Sequence, residues 1–453
     1  MRIFPAGRVM LALIGMIGSA TAVAEPVSRL VDIRAAGAAR VGELKSLRGV
    51  DWWLELGDNL LLTGERKLLD RLREPVVNAW PALDPKTLVL EARGCGVDSK
   101  LHLPALAEAG RFALLRVPPM LARYPAVPGR DWRAVSINRS YARLWANDPA
   151  KAAAGNVSDP LVQPLVDTVS PSGWLQRMTT LAGFNRNTFG VGRIQARDWL
   201  VAQFQGIAGI ASVTTPTFNF SYNSNVYAAE NVLARMTGTR RPDEWVIVGG
   251  HYDSRNATNG PGGSNPSPGA EDNASGCAGV VEMARVLSRF RPERTVLFMC
   301  YAGEEQGLFG SSAHATALQQ SGDAARVVYM LNMDMIGYSG DADLDVLVES
   351  TSLGEPAFAR FGALAAAYAP ALRMVTSLSP CCSDHMPYLS SGIPAALTIA
   401  NDWGSYAHYH STTDTPANVT NALAMGGNLL RMNAAFLAET ARASDRTFAD
   451  GVE

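Results

Sequence analysis

The chain has 453 residues, of which 47% are hydrophobic and 18% are charged, a composition typical of a globular protein with two or three domains. Its formal net charge of −2 at pH 7 leaves no excess of basic residues. The composition therefore argues against nucleic-acid binding, which would need a broad basic patch.

Residues 1–24 have the three parts of a secretory signal peptide. Arg2 and Arg8 precede the apolar run Val9–Ile17, and small residues then lead to Ala24. The apolar run is too short to span a bilayer, which needs about 20 residues, and no later segment is long and apolar enough. We therefore expect cleavage near Ala24, export to the periplasm or the medium, and no stable membrane insertion.

Residues 25–150 differ in pattern from the rest of the chain. Trp52–Leu56 and Thr87–Ala92 are strand-like, whereas Glu65–Arg73 has helical spacing. This segment is predicted to be a small α+β domain, either a removable propeptide or a permanent accessory domain. Residues 151–165, rich in small and polar residues, are predicted to be a linker.

Residues 166–445 alternate regularly between strand-like and helix-like segments from Glu244 onward. Nearly continuous apolar strands that alternate with helices predict an α/β domain, with a mostly parallel sheet covered on both faces. The predicted strands are Trp245–Gly249, Arg294–Tyr301, Arg326–Met333, Leu344–Val348 and Ala395–Ile399, and the predicted helices are Ala274–Phe290, Ser311–Gln319, Pro356–Tyr368 and Pro416–Arg442.

Histidines and carboxylates follow these strands at the points where the strands end. His251 comes directly after the first strand, and Asp253 lies two residues further on. Residues i and i+2 of an extended chain share a face, so Asp253 could accept the second ring N–H of His251. Such a partner orients a metal-binding histidine, although a surface pair would have the same sequence.

Asp272 lies where the next helix is predicted to begin, a position at which aspartate often acts only as an N-cap. The small residues 273–276 after it would allow a close backbone approach. Because the next apolar strands end just before Glu304, Glu305 and Asp334, these carboxylates are predicted to meet at one edge of the sheet.

His410 lies in a polar, aromatic loop late in the chain, and His408 competes with it as a candidate ligand. Two histidines and several carboxylates at one sheet edge are typical of a two-metal hydrolase, which needs nitrogen and oxygen ligands, an open position and a base.

The segments HYDS, PGAEDNASG, AGEEQGLFGS, NMDMIG, CSDH and YHSTTDT resemble the co-catalytic zinc aminopeptidases of peptidase family M28. The resemblance covers residues 165–442. It implies a mixed, mostly parallel eight-stranded sheet sandwiched by helices. It also implies two Zn²⁺ ions per catalytic domain and peptide substrates with a free N-terminus.

Carried over by position, the resemblance makes Asp272 the carboxylate that both ions share. His251 and Asp334 would then complete one zinc site, and Glu305 and His410 the other.

The resemblance also implies a role for two further acids. Glu304 would be the general base for a hydroxide that bridges the ions, and Asp253 would be the acid that supports His251. Some family members carry a tyrosine near the segment CSDH that helps to hold the oxyanion, but Pro380 stands at about that position here. Tyr338, Tyr388 and Tyr406 are alternatives, and His385 is interpreted as a hydrogen-bonded structural histidine.

The chain has five cysteines, and export would permit disulfides. Cys277 and Cys300 are expected to be packing residues. Cys381 and Cys382 are adjacent, and neighbouring Cα atoms about 3.8 Å apart lie below the usual disulfide range. We therefore expect no bond between these two.

Three other functions are compatible with parts of this pattern. Carboxypeptidase or dipeptidase specificity would keep the family and change the substrate. A glutaminyl-cyclase-like enzyme would keep the fold but hold a single zinc ion, so zinc stoichiometry separates it from the peptidase. A metal-free binding domain is disfavoured because all five candidate ligands and the base are present.

Overall fold

The computed structural model describes residues 25–92, 104–118, 121, 131–147, 158–257, 265–289 and 291–442. The predicted signal peptide and residues 151–157 of the predicted linker lie outside these ranges. No helix in the described part of the chain is both long enough and apolar enough to cross a membrane.

One mixed sheet of thirteen strands runs through the described part of the molecule. From edge to edge its strands are β10 (Ser212–Thr214), β13 (Val232–Met236), β15 (Arg294–Tyr301), β14 (Arg241–His251), β16 (Val327–Met333), β19 (Ala395–Ala400), β17 (Leu344–Glu349), β18 (Leu372–Ser377), β9 (Arg139–Leu144), β2 (Val50–Gly57), β3 (Asn59–Gly64), β1 (Val27–Asp32) and β4 (Val76–Pro81).

Eight of these strands, β10 to β18 in sheet order, come from the predicted catalytic region. The central strands β15, β14, β16 and β19 run parallel to one another, as do β17 and β18. The pairs β17–β19, β13–β15 and β10–β13 are antiparallel. The predicted mixed, mostly parallel eight-stranded sheet is therefore confirmed.

Helices cover both faces of this half of the sheet. The described α-helices are α1 (Gly37–Ser46), α2 (Arg66–Leu69), α3 (Gln163–Val166), α4 (Pro171–Ala182), α5 (Val191–Gln205), α6 (Gly276–Leu287), α7 (Phe309–Ser321), α8 (Phe358–Tyr368), α9 (His385–Ser390) and α10 (Ala422–Ala441).

Strand β14 shows why this region folds as a sandwich. Val246 and Val248 are buried in the core that also contains apolar residues of α6 and α10, whereas Ile247 is buried in the core with those of α7 and α9. Successive side chains of a strand point to opposite faces, so a continuous apolar run needs cover on both sides.

The other five strands belong to the N-terminal part of the chain and extend the same sheet. Strand β9 pairs antiparallel with β18, through Leu144 opposite Val375 and Arg143 opposite Thr376, and β2 pairs with β9. The N-terminal strands therefore continue the catalytic sheet, which the sequence pattern did not predict.

Two smaller sheets complete the described strands. One has the order β6 (Ala105–Ala109), β7 (Phe112–Arg116), β5 (Leu88–Ala92) and β8 (Asp131–Ala134), and the other is the hairpin of β11 (Thr217–Tyr222) and β12 (Asn225–Glu230).

Three local predictions are wrong. His385, interpreted as a hydrogen-bonded histidine, is buried with neither ring nitrogen hydrogen-bonded to any described residue. The segment predicted as one helix over Pro416–Arg442 divides into a 3₁₀ turn, Pro416–Asn418, and α10. Cys381 and Cys382 form a disulfide, with their Cα atoms 3.6 Å apart. Cys382 has a φ of 71°, outside the extended geometry that directs neighbouring side chains apart. Cys277 and Cys300 are free and buried, as expected.

Candidate metal centre

The candidate ligands lie at the carboxyl-end edge of the parallel strands. His251 is the last residue of β14, Asp334 follows β16 directly, and Glu304 and Glu305 follow β15. This edge is where open α/β sheets place their binding sites. His410 reaches the same place from the loop between β19 and α10.

Asp272 was predicted to open a helix, but α6 begins only at Gly276. Asp272 is non-helical, with φ −110° and ψ 93°, and a cis peptide joins it to Asn273. A Cβ atom on Gly276 would lie 2.3 Å from the main-chain oxygen of Met333, so the close backbone approach expected of these small residues is confirmed.

Asp272 lies between the two histidines. Its Oδ1 is 3.2 Å from Nε2 of His251, and its Oδ2 is 3.0 Å from Nε2 of His410. On the first side, Oδ1 of Asp334 is 3.5 Å from Nε2 of His251. On the other side, Oε2 of Glu305 is 3.1 Å from Nε2 of His410. The result is two groups of ligand atoms that share one carboxylate.

Most carboxylate oxygens of this centre are buried without hydrogen-bond donors. Both side-chain oxygens of Asp272, Glu304 and Glu305, and Oδ1 of Asp334, have no hydrogen-bond partner within the described part of the chain. Unpaired charges are costly in a protein interior. Bound cations would remove that cost, and imidazole with carboxylate is a ligand set that suits zinc.

The electrostatics of the centre reflect this crowding. Burial raises the pKa of Glu304 well above its usual value and also raises that of Glu305. Burial opposes protonation of His251, but the charges of Glu304 and Asp334 prevail and raise its pKa well above the usual value. A bound divalent cation would instead lower the pKa values of these carboxyl groups, because it stabilises their charged form.

Asp253 supports His251 in a different way from the one predicted. Nδ1 of His251 lies 3.1 Å from the main-chain oxygen of Asp253 and 3.7 Å from its Oδ1, so the carbonyl rather than the carboxylate is the partner. The carboxylate instead accepts hydrogen bonds from the Thr188 hydroxyl at 2.6 Å and from the backbone N–H of Glu304 at 3.3 Å. Asp253 therefore positions both His251 and Glu304.

Glu304 has the environment of a group held for proton transfer. Its side chain is buried, and its Oε2 is 3.8 Å from Nε2 of His251. It therefore faces the same space as the ligand atoms, while neighbouring Glu305 turns to His410.

His408 does not belong to this centre. Its Nδ1 lies 2.8 Å from the hydroxyl oxygen of Thr413, on the outer part of the loop, whereas His410 is buried beside Asp272. The geometry thus favours His410 as the ligand candidate.

Two of the candidate oxyanion groups are already engaged. The Tyr388 hydroxyl lies 2.6 Å from the Tyr301 hydroxyl and 2.6 Å from Nδ1 of His314. The Tyr406 hydroxyl donates to Asp414 at 2.7 Å.

Asp414 supports the centre, although its place in the segment YHSTTDT did not mark it as a functional residue. Its carboxylate accepts the backbone N–H groups of Glu271 at 2.9 Å and Asp272 at 3.0 Å, which holds the Asp272 loop against the His410 loop. Its position directly before Thr415, at the end of the motif YHSTTDT, was the available signal. Ser383 plays a similar part and donates to Oδ2 of Asp334 at 2.6 Å.

Comparison with known proteins agrees with this geometry. The profile of Peptidase family M28 matches residues 231–432. A probable zinc metalloprotease of Leptosphaeria maculans is 34% identical over 194 residues, which are 39% of this chain and 44% of that protein. A probable aminopeptidase of Saccharomyces cerevisiae is 30% identical over 233 residues, 49% of this chain and 60% of that protein. The chain thus spans less than two thirds of these relatives.

The solved structure of the LapA aminopeptidase of Legionella pneumophila shares the fold, with a TM-score of 0.54 at 19% identity. The similarity covers 79% of this chain, more than residues 166–445 contribute, and 99% of that one. LapB of the same organism is similar, with a TM-score of 0.54 at 20% identity over 78% of this chain and 99% of that one. Residues 231–432 thus match peptidase family M28, and the fold resembles that of these solved structures.

Proposed function

We propose that this protein is a zinc-dependent aminopeptidase that holds two zinc ions. The observation that carries the proposal is the pair of ligand groups around Asp272, whose buried carboxylate oxygens have no hydrogen-bond donors in the described structure. Names of relatives, a zinc metalloprotease and an aminopeptidase, support the same chemistry.

The proposal gives each side chain a role. Asp272 would contact both ions, His251 and Asp334 would complete one site, and Glu305 and His410 the other. When bound, zinc ions polarise a scissile carbonyl and lower the pKa of the attacking water.

Glu304 would act as the general base in this centre. It faces the ligand atoms with both oxygens unpaired, so it can take the proton from the attacking water. The same carboxyl group can then give that proton to the amine that leaves. The excess of carboxylates would also attract the free α-ammonium group of a substrate, which favours peptides with an unblocked N-terminus.

We propose further that the protein is exported and that its N-terminal part, residues 25–150, stays with the catalytic part, residues 166–445. The pairing of β9 with β18 supports permanence, since removal of a pro-region would leave the edge of β18 exposed. N-terminal sequencing of the exported protein should begin at Glu25.

The first test is hydrolysis of leucine p-nitroanilide by the zinc-loaded protein, beside N-acetyl-leucine p-nitroanilide. We expect activity on the free amine only, and we expect Glu304→Gln to lower kcat by about 10²- to 10⁴-fold while zinc stays bound. Chelation should abolish activity, and added zinc should restore it.

Glu282→Gln is a matched control. Glu282 is also a buried glutamate, but it lies on α6, away from the centre, and is paired with Arg177 and Arg285. This variant should keep its kcat. Hydrolysis that persists in Glu304→Gln, or hydrolysis of the acetylated substrate alone, would contradict the proposed function.

A further inference from the structure

A pocket with about 250 Å³ of empty volume lies beside the candidate metal ligand Asp334. Met335, Leu397 and Trp403 make part of its wall apolar. That volume includes space open to solvent, so a small substrate group could enter the pocket from the outside.

Arg111 is part of the same wall, although it comes from the N-terminal part of the chain. It lies in the turn between β6 and β7, next to Gly110. Gly110 has a φ of 54°, and a Cβ atom there would lie 2.2 Å from Oδ1 of Asn401. Glycine therefore lets this turn approach the catalytic part closely enough to place Arg111 in the pocket.

The Arg111 guanidinium is buried, with 2% of the residue exposed, and only one of its nitrogens is engaged. Nη1 donates to Oε1 of Glu349 at 2.5 Å and to the main-chain oxygen of Cys381 at 3.1 Å. Nε and Nη2 have no hydrogen-bond partner among the residues whose structure is described. Buried donors without acceptors are unfavourable, which indicates that an acceptor is missing.

The two unused nitrogens form one edge of the planar guanidinium. Their N–H groups are parallel and match the two oxygens of a carboxylate, which is the strongest hydrogen-bonding arrangement available to arginine. Glu349 has an unpaired oxygen too, but it is not in the pocket wall. The carboxylate in the wall is that of Asp334, a candidate zinc ligand, so the free guanidinium edge is left to bind an anion.

We propose that this pocket binds a carboxylate of the substrate through Nε and Nη2 of Arg111, so that the N-terminal part of the chain sets substrate specificity. The inference rests on the proposed function, because Asp334 joins the pocket to the site of peptide-bond cleavage. The carboxylate could be the acidic side chain of the substrate's first residue or the C-terminal carboxylate of a dipeptide. Both present the same chemistry to Arg111.

The test compares substrates that differ only in this charge. For the side chain, kcat/KM is measured on the p-nitroanilides of glutamate and glutamine, and for the terminus on Leu-Leu and Leu-Leu-amide. We expect the wild type to prefer the acid in one of these pairs by about 10- to 100-fold, as a charge-assisted bidentate contact allows. The pair that shows the preference identifies the source of the carboxylate.

Arg111→Lys keeps the positive charge but removes the pair of parallel N–H donors. It should bring the ratio of kcat/KM between the acid and its amide close to one. The double variant Arg111→Gln, Glu349→Gln should do the same without leaving a buried charge unpaired. Each ratio is taken within one protein, so a general loss of activity cancels. Arg373→Lys is the matched control, because Arg373 also joins the two parts of the chain, through Asp58 at 2.8 Å, but is not in the pocket wall.

Binding separates a failure of this inference from a failure of the proposed function. The dissociation constants of free glutamate and glutamine, and of the dipeptide and its amide, are measured by calorimetry on the same proteins. If leucine p-nitroanilide is not cleaved but Arg111 still determines acid binding, only the proposed function fails. If neither the kinetic nor the binding ratios depend on Arg111, or if a basic side chain is preferred, the inference is wrong.

Discussion

The two halves of the thirteen-stranded sheet handle buried charge in opposite ways. In the five-strand half, the buried carboxylate of Glu55 on β2 is matched by Lys45 at 2.8 Å and Arg143 at 3.4 Å. In the eight-strand half, the four carboxylates of Asp272, Glu304, Glu305 and Asp334 face two histidines, and Arg255 stays 3.6 Å from Glu305.

The difference distinguishes a structural charge from a functional one. A buried acid that has its own cationic side chain can be explained by the fold alone. A cluster of buried acids with too few cations predicts a ligand that supplies the missing charge. Glu349 lies between the two cases, because Arg111 pairs with one of its oxygens and keeps its own Nε–Nη2 edge free.

Asp272→Ala should have the largest effect. Because Asp272 lies between both ligand groups, we expect loss of both metal ions and of all measurable peptidase activity. The metal-free variant should also be less stable than the metal-free wild type at neutral pH. Burial opposes the charge of Asp272, but its contacts with His251 and His410 prevail and lower its pKa, so the charged form stabilises the fold. Metal analysis and thermal unfolding of chelated samples measure both effects.

An unchanged or higher Tm of metal-free Asp272→Ala would show that repulsion among the carboxylates outweighs the contacts of Asp272 with the two histidines. His410→Ala serves as the comparison, because it touches only one ligand group and should keep one ion.

Glu55→Gln should have a smaller effect, on stability rather than on activity. Removing this carboxylate leaves the charges of Lys45 and Arg143 close together without an anion between them, so the free energy of unfolding should fall by about 1 to 3 kcal/mol. The loss is smaller than for a fully buried ion pair because both cations reach solvent. The kcat of the folded protein should not change. Denaturant unfolding beside steady-state kinetics checks this, and a selective loss of kcat would place Glu55 in the functional machinery.

Cutting the chain within residues 150–157, at an inserted protease site, should have the smallest effect. Pairing of β9 with β18 and the buried contact of Arg111 with Glu349 should keep the two fragments together. We expect one peak in size-exclusion chromatography and unchanged activity on leucine p-nitroanilide. Dissociation with a rise in activity would instead identify residues 25–150 as an inhibitory pro-region.

The sequence predicted the eight-stranded region and the grouping of the candidate ligands because both depend on local pattern. Apolar runs define β14, β15 and β16, and the residues that follow parallel strands must meet at one edge. The pairing of β9 with β18 joins segments more than 200 residues apart, and no local pattern specifies which strands pair or in what register.

Contacts that depend on local backbone and side-chain geometry could not be predicted from the sequence either. The choice between the carbonyl and the carboxylate of Asp253 depends on the backbone conformation just after β14, and the bond between Cys381 and Cys382 depends on one left-handed residue. Arg111 carries no motif, so only its position in the fold reveals its place beside Asp334.

The most direct test of the whole account is a zinc titration of the chelated protein, with bound zinc per chain and hydrolysis of leucine p-nitroanilide measured on the same samples. The account predicts that two zinc ions bind per chain and that both are needed for full activity. Full activity with a single bound ion, or two bound ions without any hydrolysis, would contradict it.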